Sequence, residues 1–219
     1  MPPSLSSNFE ENNRRLVAPV RTRLAAICAA APLHARFLNM LSLLEHIGSR
    51  KIMTSPAMQA PDLDALKHLA EEARHAVFFK RAAERTAARA FDYSPANTLA
   101  EPSARLYMSR LDVEISRGVG AAAIPALPYL YMSLIVELRA VWLYRIYQAV
   151  LLEQKAGLTL KSILAEEELH LCAMSARLSQ LDRNAASRIP HFCAFEEVLF
   201  RHLWSEIEEA CAVPSLAAE

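Results

Sequence analysis

Apolar residues recur every three or four positions along most of this chain, and the alternation typical of β-strands is nowhere sustained. The pattern therefore predicts an all-α protein. Breaks at proline and glycine predict a short segment at 21–31, long helices at 33–53, 61–90, 128–156 and 158–181, a shorter helix at 104–117 and a last helix at 191–212. The four long helices predict an antiparallel bundle, with the shorter helix in a long crossover between two helical hairpins.

The two ends of the chain are predicted to lie outside this bundle. Residues 1–20 are polar and lack the apolar core of a secretory signal, so we predict a flexible arm there. Residues 21–212 are predicted to form one helical domain, followed by a tail at 213–219. The longest uncharged run, 118–136, contains glycine and proline, so we expect no membrane span and a cytoplasmic protein.

Composition narrows the classes of function. Only 4 of 219 residues are glycine, which argues against a glycine-rich nucleotide-binding loop. A net charge of zero argues against a nucleic-acid partner. The hydrophobic fraction of 53% and the apolar side of the last helix predict a homodimer surface. Its residues are Phe195, Val198, Leu199 and Trp204.

The apolar side of each long helix is interrupted near its middle by polar residues. These are Glu45 in the first helix, Glu72 and His75 in the second, Glu137 in the third, and Glu167 and His170 in the fourth. A spacing of three places each Glu/His pair on one helix face. The lone Glu precedes the Glu-x-x-His motif by 27 residues in the first half and by 30 in the second. This echo predicts a pseudo-twofold site in the core.

Four carboxylates buried together cannot all ionise without a counter-charge. Two divalent cations balance four carboxylates, and neutral imidazoles complete their coordination. Oxygen-rich ligation with one histidine per ion favours iron or manganese over zinc. The alternative is a buried polar network without metal.

Residues around these six have predicted roles as well. Glu71 and Glu166 each precede a motif Glu and are predicted to accept the outer N–H of a ligand histidine, and Arg74 is predicted to pair with such a carboxylate. Tyr144 is assigned to the same surrounding set. The predicted lining of an apolar pocket is Leu41, Gly48, Phe79, Leu134, Ala140, Val141 and Met174. His34 and His68 share the helical phase of the site but lie nearer their helix starts, so a core or surface role is predicted for both.

The order Glu, Glu-x-x-His, Glu, Glu-x-x-His over about residues 33–181 resembles the ligand set of ferritin-like di-iron carboxylate proteins. The resemblance implies a ferritin-like bundle whose six ligands are the residues named above. It implies two iron ions (Fe²⁺/Fe³⁺), with manganese as an alternative at one or both positions. It further implies an O₂-activating oxygenase or oxidase that acts on a small apolar organic substrate and takes electrons from a donor such as a ferredoxin or a reductase.

Within this family, two details bear on the reaction. Radical-forming ribonucleotide reductase subunits have a tyrosine four residues after the first motif's histidine, whereas Phe79 stands there in this chain, so no stable tyrosyl radical is expected. The helix that carries Glu137, Ala140 and Tyr144 is similar to the corresponding helix of aldehyde-deformylating oxygenases. The alternatives are a ferroxidase or peroxide-scavenging protein that handles metal, and a non-catalytic metal-binding bundle.

Overall fold

The computed structural model describes residues 3–120 and 124–212, with side chains from residue 5 onward. Within these ranges it contains helices and no strand, so the all-α prediction is confirmed. The helices are α1 (Pro3–Ala29), α2 (Ala31–Thr54), α3 (Leu63–Ala87), α4 (Glu101–Val119), α5 (Leu127–Glu153), α6 (Lys161–Leu181) and α7 (Ala185–Ala212), and a 3₁₀ turn covers Pro56–Gln59. The predicted tail at 213–219 lies outside the described residues.

Helices α2 and α3 form an antiparallel hairpin. Lys80 Nζ donates to Asn39 Oδ1 at 2.9 Å, and the Ser42 hydroxyl donates to the Ala76 carbonyl at 2.7 Å. Residue numbers therefore rise along α2 as they fall along α3. The connection is short, and its end is fixed by Asp62, whose carboxylate caps α3 by accepting from the Ala65 amide at 2.8 Å.

Helices α5 and α6 form a second antiparallel hairpin. An ion pair of 2.8 Å joins Arg145 to Glu168, and a hydrogen bond of 2.6 Å joins Tyr131 to Asp182 at the other end. The two hairpins face each other, since α2 contacts α5 and α3 contacts α6. The crossover between them contains α4, which packs on α7, α5 and α2.

Helix boundaries differ from the prediction where capping or packing overrides a proline or glycine signal. Helix α3 begins at Leu63 rather than at residue 61, because Asp62 supplies the cap. Helix α6 begins at Lys161 rather than at residue 158, because the side chain of Gln148 accepts from the Leu160 amide at 2.5 Å and holds the connection non-helical. Helix α7 begins at Ala185 and continues through Pro190.

The prediction of a flexible arm over residues 1–20 is wrong. Helix α1 begins at Pro3 and continues through Pro19 to Ala29. Phe9, Asn13 and Val20 are buried, and the spacings of four and seven residues between them keep them on the side of α1 that packs on α5. The polar composition of this segment belongs to its exposed side.

Helix α5 is apolar around its whole circumference because it is enclosed by α1, α4, α6 and α7. No single helix among the described residues is both long and apolar enough to cross a membrane. One pair of helices, residues 14–29 together with α2, meets that criterion only across a bend of 119°.

The apolar side of the last helix is used within the chain. Leu199 and Trp204 are buried against the other helices, whereas Val198 is exposed. Two of the four residues assigned to a homodimer surface are therefore unavailable for one, because the pattern could not distinguish a core-facing side from a partner-facing side.

The packing of α1 predicts a measurable loss of stability on truncation. Phe9→Ala is expected to destabilise the fold by about 3 kcal/mol, because the side chain leaves a cavity in the core. Denaturant unfolding monitored by circular dichroism measures it. Asn12→Ala, at an exposed position of the same helix, is the control and is expected to be near neutral. Equal stability of both variants would show that α1 does not contribute to the core.

Candidate metal centre

The structure brings the six predicted Glu and His residues together in the middle of the two hairpins. Their ligand atoms fall into two groups, in each of which all atoms lie within 4.8 Å of one another. The groups are Glu45, Glu72, His75 and Glu167, and His68, Glu72, Glu137 and His170. Glu72 belongs to both groups, so its carboxylate lies where it can bridge two ions. Every member is at most 9% exposed.

The two motif histidines are oriented by carboxylates from the opposite hairpin. His75 directs Nε2 at Glu166, 2.7 Å away, and His170 directs Nε2 at Glu71, 2.8 Å away. In both rings the other nitrogen, Nδ1, faces the carboxylates of the centre, at 2.9–3.0 Å from oxygens of Glu167. The structure thus places Glu71 and Glu166 where the sequence predicts them. A carboxylate in this position fixes the tautomer and raises the basicity of the ligating nitrogen.

Two further predicted residues contact this set. Arg74 Nη2 donates to Glu166 at 2.6 Å, so one carboxylate receives both the arginine and the histidine of the first motif. The Tyr144 hydroxyl donates to Glu45. Tyr144 is buried, and this hydrogen bond orients the Glu45 carboxylate.

Gly48 is required by the close approach of α2 and α3. A Cβ atom at this position would lie 3.0 Å from Oε2 of Glu72. The absence of a side chain therefore leaves space for the carboxylate shared by the two groups.

His68 is a member of the centre that the sequence reasoning missed. Its Nε2 lies 3.1 Å from Glu137 Oε1 and 3.4 Å from Glu72 Oε1, and its Nδ1 lies 2.8 Å from the Tyr129 hydroxyl. The signal was present, because His68 precedes Glu72 by four residues on the same helix face. The sequence predicts a core or surface role for it because it lies nearer the start of α3, one turn before Glu72. The residue is buried, so a surface role is wrong, and its place in the core is beside the other members of the centre.

Burial and mutual repulsion shift the pKa values of the carboxyl groups. Burial, followed by the charges of Glu72 and Glu167, holds the pKa of Glu45 well above its ordinary value. Burial and the charge of Glu137 raise the pKa of Glu167. Burial also acts to raise the pKa of Glu137, but hydrogen bonds from its neighbours outweigh burial and lower it.

At the imidazoles, burial and the neighbouring carboxylates shift the pKa in opposite directions. Burial acts to lower the pKa of each, but the adjacent carboxylates outweigh it and raise the pKa of His68 to about 12, of His170 to about 11 and of His75 to about 9. In the metal-free protein at neutral pH, protons on the three imidazoles therefore supply the counter-charge for the carboxylates.

Several donor atoms of the centre are placed to bind metal ions but are not aligned to form hydrogen bonds with one another. Glu72 Oε1, His75 Nδ1 and Glu167 Oε1 are buried, and among the described residues none of them has a partner aligned for a hydrogen bond. His75 Nδ1 and Glu167 Oε1 are only 2.9 Å apart. Buried donors that converge without pairing are typical of ligands around a common ion, and carboxylate with imidazole is the donor set of iron, manganese and related divalent ions.

Two cavities reach the centre. The larger, of about 220 Å³, is lined by His68, Glu72, Glu137, Tyr129 and the Lys51–Asp112 ion pair, among others. The smaller, of about 60 Å³, is bounded mainly by apolar side chains and reaches Glu45, Glu72 and Glu137. Of the predicted pocket residues, Leu41, Gly48 and Ala140 line the smaller cavity. Phe79, Leu134, Val141 and Met174 line neither of these two cavities; they are buried in the core, because an apolar stripe alone does not distinguish packing from lining.

The fold and site define the class: an all-α protein with a buried carboxylate–histidine cluster that can hold metal ions. No family model, no curated protein and no solved structure matches the chain. Its function is therefore inferred from its own residues.

Gly48→Ala separates metal binding from folding. The methyl group must displace the Glu72 carboxylate, so we expect the affinity for Fe²⁺ to fall about 10-fold or more. The metal-free variant is expected to fold, because alanine is favoured over glycine within a helix by roughly 0.5–1 kcal/mol. Equilibrium dialysis and thermal unfolding measure the two effects. Met53→Ala, at an exposed position of α2, is the control. Unchanged affinity in Gly48→Ala would contradict the assignment of Glu72.

Metal binding is also expected to release protons. Ligation requires neutral imidazoles, and the raised pKa values of His68, His75 and His170 mean that all three carry protons at neutral pH. Affinity is therefore expected to rise with pH between about 6 and about 8. Calorimetry in buffers of different ionisation enthalpy counts the protons. Binding without proton release would contradict this electrostatic description.

Proposed function

We propose that the protein is a di-iron oxidoreductase that activates O₂ and acts on a small apolar organic substrate. The observation that carries this proposal is the pair of buried donor groups that share Glu72. If each group held an ion, the two ions would share Glu72 as a ligand, and together they would supply the redox chemistry for one O₂ molecule.

Iron is the metal that the donor set favours. Four carboxylates and three imidazoles form a mixed oxygen and nitrogen environment, which suits iron, with manganese as the alternative. When bound, the two iron ions supply the redox chemistry with O₂, and the organic substrate and an electron donor such as a ferredoxin or a reductase supply the remaining electrons.

The chain's own residues contribute orientation and the exclusion of water. Glu71 and Glu166 hold the tautomers of His170 and His75, and Tyr144 holds Glu45. The burial of the centre's own carboxylates and imidazoles limits their contact with water and strengthens each electrostatic contact between them. These features support the proposal of redox chemistry on a bound molecule.

The smaller cavity supports an apolar substrate. Its walls are mainly apolar, and they include Leu41, Leu44, Ala140, Leu143 and Leu203. Because Glu45, Glu72 and Glu137 also line it, a molecule bound there lies next to the metal ligands. Its volume of about 60 Å³ fits a short chain or part of a ring and excludes a macromolecule.

Two buried donors at this cavity favour a substrate that carries one polar atom. Arg139 and Trp204 line it, and among the described residues neither Arg139 Nη1 nor Trp204 Nε1 has a hydrogen-bond partner. An unpaired buried donor costs about 1–3 kcal/mol, which an oxygen atom on the substrate would recover.

A second candidate function is metal handling, as a ferroxidase or peroxide scavenger. The larger cavity favours it, because the cavity joins the centre to polar side chains such as Lys51, Asp112 and Ser116. Ions and peroxide can use such a route, whereas an apolar substrate gains little from it.

Anaerobic loading with ferrous iron, followed by admission of air, tests the proposal. We expect about two irons per chain, a new visible absorption and sustained O₂ consumption when a reductant is supplied. A single round of O₂ consumption that ends in accumulated ferric iron would favour the ferroxidase. Bound iron that does not react with O₂ would refute both catalytic functions.

Glu72→Ala is expected to lose the iron and the O₂ consumption together, because it removes the shared ligand. The matched control is Glu168→Ala. Glu168 is an exposed carboxylate next to a ligand on α6, and it pairs with Arg145 at the surface. Retention of both irons by Glu72→Ala would overturn the assignment of the centre.

A further inference from the structure

The two donor groups are chemically different. One group contains three carboxylates and one imidazole, whereas the other contains two carboxylates and two imidazoles. We refer to the group of Glu45, Glu72, His75 and Glu167 as the one-imidazole position and to the group of His68, Glu72, Glu137 and His170 as the two-imidazole position. His68 accounts for the additional imidazole, and the corresponding position in the second hairpin is Ile163.

His68 has the burial and orientation of a ligand. Only 4% of the residue is exposed, and its ring centroid lies 4.4 Å from that of His170. Both rings direct a nitrogen at the same oxygen of Glu137, at 3.1 Å from His68 and 3.5 Å from His170, so one ion beside this oxygen could contact both imidazoles. Nε2 of His68 faces Glu137 and Glu72, so this nitrogen is the one that can reach an ion.

The partner behind His68 distinguishes it from the other two histidines. His75 and His170 are backed by carboxylates, whereas His68 is backed by the Tyr129 hydroxyl at 2.8 Å from Nδ1. A phenol oxygen can accept the Nδ1 proton and so hold the tautomer in which Nε2 is free for a metal. His68 therefore presents Nε2 to the centre, and the two motif histidines present Nδ1.

We propose that His68 is a seventh ligand that makes the two positions unequal, so that the two-imidazole position takes the first divalent ion of the cobalt, iron and zinc type. Imidazole nitrogen favours these ions, whereas carboxylate oxygen suits manganese. The one-imidazole position then binds second and accepts a harder ion. The inference rests on the dinuclear centre of the proposed function but not on its reaction with O₂.

Titration of the metal-free protein with Co²⁺, followed by proton NMR in water, tests the order of filling. Each imidazole bound to Co²⁺ gives one exchangeable N–H resonance with a large paramagnetic shift. We expect two such resonances, from His68 and His170, to grow up to the first equivalent. A third, from His75, is expected between the first and the second equivalent. This count requires no variant, so it does not depend on the folding of a mutant.

Three outcomes would overturn the inference: two shifted resonances in total, three that grow together from the start, or one that precedes the other two. The first would show that His68 is not a ligand, and the others would show that the two-imidazole position is not filled first. A protein that gives the expected cobalt result but does not consume O₂ when loaded with iron would refute the proposed function and leave this inference intact.

His68→Gln and His34→Gln form a matched pair of variants. His34 is also buried, and its Nε2 lies 2.5 Å from the Tyr147 hydroxyl, but it belongs to neither donor group. His68→Gln is expected to lose one resonance and to bind the first Co²⁺ at least 10-fold more weakly. His34→Gln is expected to keep all three resonances and the stepwise filling. Three resonances in His68→Gln would contradict the seventh ligand.

Discussion

The burial of four carboxylates in one place is the constraint on which the rest of this structure depends. Repulsion among Glu45, Glu72, Glu137 and Glu167 would separate the two hairpins unless positive charge lay between them. In the metal-free protein, protons on the imidazoles and on the carboxyl groups with raised pKa values meet this need. Two divalent ions would meet it with the charge they carry, and they would replace protons whose retention is costly at higher pH. Metal binding and the electrostatic stability of the fold therefore both depend on the charge of these four carboxylates.

A second buried ion pair shows what charge balance without metal looks like in the same core. Arg139 donates to both oxygens of Glu196 at 2.7–2.8 Å, and Tyr107 donates to one of them at 2.7 Å. The guanidinium also lies 4.0 Å from the ring centre of Phe200. One cation pairs with one anion here through two hydrogen bonds, so no further charge is required. The centre differs from this pair in its excess of carboxylates, and this excess is the charge that metal ions would balance.

The sequence predicts the helical elements and the six residues of the repeated motif because both depend on local periodicity. The spacing in Glu-x-x-His places both side chains on one helix face, and the apolar stripe around them favours a buried position for that face. The misses have a different origin. The polar start of α1 hides a buried side that is recognisable only once α5 is in place beside it. Phe79 and Met174 share a stripe with the ligands, but whether such residues line a cavity or fill the core depends on the packing of several helices. His68 is an intermediate case, because the sequence shows its position on the helix face but not its depth in the bundle.

The centre is asymmetric because both hairpins carry the same Glu/His motif, whereas the residues packed around the motif differ between them. The two hairpins carry the same motif. Each motif histidine also contacts a glutamate of the other hairpin, His75 with Glu166 and His170 with Glu71, so the twofold relation includes these partners. The relation ends one turn earlier in α3, where His68 faces inward and the start of α5 supplies Tyr129 behind it. The corresponding position of α6 is Ile163, which is buried and apolar, so the second hairpin has no additional donor side chain at this position. With one additional imidazole in an otherwise twofold arrangement, the two groups would place two bound ions in unequal surroundings.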